Sequence, residues 1–234
     1  MGRTCVFPLG HGAGPAVRIG IPIPEPLLSL TTADVDGDGL QDLYLVTAAA
    51  TRVLKATAQG GFAVAAGHPL AGIVDGQAAL WGDVDNDGDT DLYLCRRGAN
   101  QLWRSEQDGT WVETAAVTGT ADSGDCADGG MIDADHDGDL DLFVTNYVKW
   151  SREDDLQIDF RLTGLGRAYG APVHFVGTNS YLYRNQGDGR SGGNLRLYQW
   201  QCNRRDGLRE FMDNLTPKAI VASLDEDRPA PDPD

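Results

Sequence analysis

DVDGDGLQDLYL (residues 34–45), DVDNDGDTDLYL (83–94) and DADHDGDLDLFV (133–144) align without a gap, their first aspartates 49 and 50 residues apart. Each opens with acids on alternate positions, passes a glycine and runs into an apolar stretch. A period near 50 with glycine-rich turns and short alternating strands marks β-propeller blades, about four strands to each. The remainder of the unit repeats more loosely. An apolar–aromatic step follows each acidic segment: Val53-Leu54-Lys55, Leu102-Trp103-Arg104 and Leu182-Tyr183-Arg184. A glycine turn and an aromatic come next in the first two copies, at Gly60-Gly61-Phe62 and Asp108-Gly109-Thr110-Trp111. Such glycine and Asp-Gly punctuation is hairpin chemistry. The predicted fold class is all-β, an incomplete ring of about four propeller blades.

Counted from its first aspartate, each acidic segment carries side-chain oxygens at positions 1, 3, 5 and 9 and a glycine at 6 (Gly39, Gly88, Gly138). Alternate carboxylates converge when a loop curls around a hard cation, and calcium takes six to eight oxygens in tolerant geometry. Magnesium fits less well, since it demands near-ideal octahedral geometry and keeps several waters. The predicted ligands are Asp34, Asp36, Asp38 and Asp42, then Asp83, Asp85, Asp87 and Asp91, then Asp133, Asp135, Asp137 and Asp141. Position 7 would contribute its backbone carbonyl, from Leu40, Asp89 and Asp139. About three Ca2+ ions are expected. An EF-hand is excluded, because position 12 is Leu45, Leu94 or Val144 inside strand-like runs, where an EF-hand needs an acid and a helix.

The 234-residue chain has a formal charge of −16, yet these three segments hold 14 of its acids, leaving −2 for the rest. The charge is thus gathered into sites. No basic stripe exists to meet nucleic acid, and no run reaches the ~18 apolar residues of a membrane span. No export signal is visible at the N-terminus. Cys5, Cys95, Cys126 and Cys202 lie far apart with no C-x-x-C pair. That argues against zinc and leaves two disulfides or four thiols equally open.

Three boundaries are expected: an N-terminal segment 1–30, repeats over 31–189, and a degenerate or disordered tail over 190–234. About 30 extra residues, roughly 147–176, interrupt the third unit. They hold Tyr147, Trp150, Phe160, Tyr169 and Phe175, so they are expected to pack as an ordered loop.

These segments resemble the FG-GAP/VCBS repeat family, whose blades are similar to those of the integrin α-chain propeller. Gly76–Asp89, Asp141–Trp150 and Gly177–Gly189 most resemble the cartilage acidic protein branch, associated with ASPIC/UnbV domains. Ala168-Tyr169-Gly170-Ala171-Pro172 is similar to the Gly-Ala-Pro end of the motif. The resemblance implies integrin-α-type blades, calcium held in rim hairpins by the matching aspartates, and an extracellular, periplasmic or cell-surface location. Members resemble seven-bladed rings, so about four blades here would make the chain part of a larger protein.

No G-x-S-x-G, H-E-x-x-H or phosphate loop occurs. His11, His68 and His174 have no partnered acid or nucleophile at a telling spacing, and His136, at loop position 4, points away from the ion. Trp81, Trp103, Trp111 and Trp150 suit blade core better than sugar stacking. The expected function is a non-catalytic, calcium-binding adhesion or protein-interaction module with a protein or glycan ligand. The alternative is a propeller domain of, or accessory to, a glycan-acting lyase or hydrolase.

Overall fold

The computed structural model describes residues 3–7, 17–149, 152–168, 175–185 and 197–202. Three four-stranded antiparallel sheets dominate it. The first is β3 (Leu27–Ala33), β4 (Asp42–Thr47), β5 (Thr51–Ala56) and β6 (Phe62–Val64), hydrogen-bonded in that order. The second repeats the meander with β7 (Gly76–Gly82), β8 (Asp91–Arg96), β9 (Gln101–Ser105) and β10 (Trp111–Glu113). A ribbon of β1 (Arg3–Phe7) and β2 (Val17–Ile23) precedes them, and the four-residue helix α1 (Ala115–Thr118) follows β10.

In the third sheet an insertion separates the second strand from the third. The order is β11 (Cys126–Ile132), β12 (Asp141–Asn146), β17 (Ser180–Asn185) and β18 (Leu197–Cys202). The insertion holds β13 (Val148–Lys149), helix α2 (Arg152–Ile158), the hairpin of β14 (Arg161–Leu162) with β15 (Gly166–Arg167), and β16 (Val176–Gly177), which pairs with β13. Arg167 donates to the carboxylate of Asp155 at 2.7 Å and to its carbonyl at 2.9 Å, tying the hairpin to α2. Trp150 and Tyr169 lie outside the described residues.

The fold is all-β in propeller-type blades, as the repeat predicts. Among the described residues there are three complete blades and the β1–β2 ribbon, against the four or so units that length alone implied. The third sheet runs past Gly189: β18 pairs residue by residue with β17, from Asn185 opposite Leu197 to Ser180 opposite Cys202. The remainder of the expected tail, residues 190–196 and 203–234, lies outside the described residues.

The second strands of the first two blades are buried on both faces, which explains their near-continuous apolar sequence, while β12 buries Leu142 and Val144 and leaves Phe143 and Thr145 half-buried. All six residues of β4 are buried. Period-two alternation sends Tyr44 and Val46 toward the second blade, where they pack with Ala79, Leu92 and Leu94. Leu43 and Leu45 face the other way, beside Ile23 and Leu54. The next interface repeats the device, with Tyr93 and Cys95 meeting Cys126, Leu142 and Val144. Some first-strand positions, hemmed in by their own second strand and by the neighbouring blade, take only glycine. A Cβ on Gly129 would lie 2.3 Å from the carbonyl oxygen of Phe143 and 2.8 Å from Leu80. Trp81, Trp103 and Trp111 pack against the interface core of blades one and two. Trp81 stands edge-on to Tyr44 at 5.4 Å and donates from Nε1 to Thr31 at 2.8 Å. A disulfide joins Cys95 in β8 to Cys126 in β11 and so staples blades two and three. No described helix is long and apolar enough to cross a membrane.

Candidate metal centres

Each acidic segment is the loop between the first and second strands of a blade: 34–41 between β3 and β4, 83–90 between β7 and β8, and 133–140 between β11 and β12. The aspartate at position 1 organises the turn. Asp34 accepts from the N–H groups of Asp38 (3.1 Å) and Gly39 (2.7 Å). Asp83 does the same with Asp87 (3.2 Å) and Gly88 (3.0 Å), and Asp133 accepts from Gly138 at 3.2 Å. Position 5 makes a tight local turn, with Asp38, Asp87 and Asp137 accepting from the N–H two residues on. The backbone is left-handed at position 6, with φ of 84° at Gly39, 97° at Gly88 and 95° at Gly138.

It is left-handed again at position 4, with φ of 70° at Gly37, 56° at Asn86 and 62° at His136. That second constraint went unread in the sequence, although Gly, Asn and His are residue types that tolerate this region. His136 is exposed at this turn, consistent with a side chain directed to solvent.

Position 9 does more than close the loop. Asp42, Asp91 and Asp141 are buried to 1% exposure or less. One oxygen of each accepts from the N–H at position 2 (Val35, Val84, Ala134) at 2.8–3.1 Å. The other accepts from the N–H at the end of the third strand, from Ala56 at 2.6 Å, Ser105 at 2.9 Å and Asn185 at 2.8 Å. Three carboxylates thereby fasten three loops to their own sheets in the same way.

Side-chain oxygens within 4.8 Å of one another gather in all three loops: Asp34, Asp36 and Asp42; Asp83, Asp85 and Asp91; Asp133, Asp135 and Asp137. Positions 1 and 3 are common to all. Asp38, Asp87 and Asp141 fall outside these tightest groups, as do the side chains of Asp89 and Asp139. Each group could hold a metal ion. The donor set fits a hard cation, since Asp85 Oδ1, Asp133 Oδ1 and Asp135 Oδ1 are buried with no hydrogen-bond partner. Buried acceptors are rarely left so unless something satisfies them. The second loop borders a cleft of about 530 Å³, lined by Asp85, Asp87, Arg104, Glu106 and Thr110 among others.

The electrostatics agree. Burial pushes Asp91 up to about 7, against the two N–H donors that favour its charged form. Burial likewise raises Asp85 to about 6, with Arg104 opposing. Asp42, Asp135 and Asp141 are shifted upward too, burial being the largest cause in each. Carboxylates crowded and desolvated in this manner resist ionisation until a cation compensates them.

A protein side chain supplies part of that compensation. Lys55 lies 2.7 Å from Asp36, Arg104 lies 2.9 Å from Asp85, and Arg184 pairs with Asp135 and, at 3.7 Å, with Asp137. The three cations occupy one register on the third strand. The sequence carried this signal as the basic residue ending each apolar–aromatic step, but gave it no role.

No curated protein was found to match the chain. Residues 34–94 and 83–144 each match the FG-GAP-like repeat, every match running from one acidic loop through the strand that follows the next. Residues 34–144 therefore carry two FG-GAP-like repeats, with the three acidic loops at equivalent places in them.

Proposed function

We propose that this protein is a calcium-stabilised, non-catalytic propeller module that presents a protein- or glycan-binding surface outside the cytoplasm. The observation that carries the reading is the threefold recurrence of one carboxylate cluster at one place in successive blades. Solvated acidic turns have no reason to keep the same register, and they do not bury unpartnered oxygens as Asp85 and Asp135 do. Ligands at positions 1, 3, 5 and 9, with the position-7 carbonyl, would supply the all-oxygen shell that calcium prefers. Calcium neutralises the repulsion among the desolvated aspartates and fixes each first hairpin, so its binding free energy adds to folding stability. FG-GAP repeats serve characteristically as interaction modules. The Cys95–Cys126 disulfide suits an oxidising compartment, where millimolar calcium would fill even weak sites.

Calorimetric titration of the EDTA-treated chain with calcium tests this directly. About three bound ions and a higher melting temperature in calcium are expected. A folded chain that takes up no calcium would overturn the reading. Affinity capture with and without calcium then tests the partner, whose retention should depend on the ion.

A further inference from the structure

We infer that the second and third loops bind their ions as a coupled pair, through Asn86 and Asn185, while the first loop fills independently. This rests on the calcium reading and goes beyond it, because nothing in a repeated ligand pattern requires one site to sense another.

Two side chains cross from loop to loop. Asn86, at position 4 of the second loop, donates from Nδ2 to Oδ1 of Asp139, at position 7 of the third, at 2.5 Å. It stands between Asp85 and Asp87, two expected ligands, with its backbone in the left-handed region. The second bridge is Asn185, only 1% exposed at the end of β17. Its Nδ2 donates to the carbonyl of Val84 in the second loop at 2.7 Å and to that of Leu140 in the third at 3.2 Å. Its backbone N–H donates to Asp141 at 2.8 Å, while Val84 donates its own N–H to Asp91 at 2.8 Å. A continuous hydrogen-bonded path thus runs from Asp91 through Val84 and Asn185 to Asp141. Adjacent carbonyls and carboxylates in the two loops share one buried amide, so a displacement of either loop is felt in the other.

The boundary between the first and second loops lacks both devices. Gly37 occupies the register of Asn86 and has no side chain to reach Asp89. Ser105 occupies the register of Asn185, with a one-carbon hydroxyl in place of a carboxamide that spans two chains. The third loop, ordered by its ion, holds Asp139 where Asn86 meets it, and Asn86 in turn fixes the chain between Asp85 and Asp87. By linkage the effect is reciprocal: whatever factor filling the third loop adds to affinity at the second, the second returns to the third.

The test uses the full chain and calcium alone, read by calorimetry, with circular dichroism confirming that each variant is folded. Disabling the third loop with Asp133→Asn and Asp135→Asn should weaken calcium binding at the second roughly fivefold or more, the lower end of ordinary coupling. Disabling the first with Asp34→Asn and Asp36→Asn should leave the second within twofold. Asn86→Gly keeps the left-handed backbone, copies the residue native to the first loop, and should shrink the fivefold difference to about two- to threefold, the rest being carried by Asn185; an undiminished difference would remove Asn86 from the path. A second loop that binds equally well with the third intact or disabled would overturn the coupling alone. No calcium heat from the folded wild-type chain would overturn the metal reading and the coupling together.

Discussion

Nε of Arg104 lies 2.9 Å from Oδ2 of Asp85, with 11% and 3% of the two side chains exposed. The pair belongs to a register, because Lys55–Asp36 and Arg184–Asp135 repeat it in the neighbouring blades. Each cation directly precedes the residue whose N–H fastens the ninth-position aspartate. The third strand therefore delivers a charge to the loop and an anchor to its base in two consecutive residues. Arg104 also reaches Glu106 at 2.9 Å, which holds its guanidinium in place.

Arg104→Met should separate the two roles of this pair. Leaving Asp85 buried without its partner should cost the metal-free protein about 3 kcal/mol. Removing a resident positive charge should strengthen calcium binding at that loop roughly tenfold. Melts in EDTA and in calcium, beside a calcium titration, check both signs. Lys55→Met should produce smaller changes, since about a third of that pair is open to water.

Asp91→Ala should destabilise the fold by about 2–4 kcal/mol even without metal, because it strands the buried N–H of Val84 and the half-buried N–H of Ser105. Asp38→Ala, at an exposed position with one local hydrogen bond, should stay within about 1 kcal/mol in EDTA. It should nevertheless weaken calcium binding at the first loop. Urea denaturation with and without the ion separates a structural aspartate from a ligand.

Metal-free protein should lose stability as pH rises from about 4 to about 7. Over that interval folded Asp85 and Asp91, raised to about 6 and about 7, keep protons that the unfolded chain, near 3.8, has already released. Unfolding then releases protons, so higher pH favours it. Asp42, Asp135 and Asp141 shift in the same direction and add to the slope. Saturating calcium should flatten or reverse the trend. Melting temperatures across pH 4.5–7.5 in EDTA, then in calcium, provide the comparison.

Gly129→Ala should cost about 1–3 kcal/mol, since the new methyl would meet the Phe143 carbonyl oxygen at 2.3 Å and Leu80 at 2.8 Å. Gly130→Ala, whose Cβ would meet nothing within 4 Å, is the control from the same strand. A shift of denaturation midpoint for the first and not the second is expected.

Removing the staple between blades two and three, by Cys95→Ser with Cys126→Ser, should cost on the order of 3 kcal/mol for a span of 31 residues. Denaturation under non-reducing conditions measures it against the wild type.

Much of the site could be read from the chain because its constraints are local. Alternating aspartates, the glycine at position 6 and the strand after position 9 fit within a dozen residues, and repetition at 49 and 50 residues removes chance. The left-handed position 4 escaped because Gly37, Asn86 and His136 look unrelated until their φ angles are compared. The outer strand β18 escaped for another reason: it exists through pairing with β17, and nothing in its neighbourhood announces that register.

The sequence by itself determined the all-β blade, the place of each acidic loop and the set of oxygens offered to a cation. Those follow from spacing and side-chain chemistry along one short stretch. Tertiary structure alone decided which oxygens already serve the protein. The ninth aspartate finds its second donor 14 residues away in two blades and 44 away in the third, across the insertion. It also decided that Cys95 meets Cys126, that Asn86 meets Asp139 across 53 residues, and that Asn185 reaches Val84 across 101. Contacts between blades depend on how two sheets pack, and that packing leaves no periodic trace in either strand.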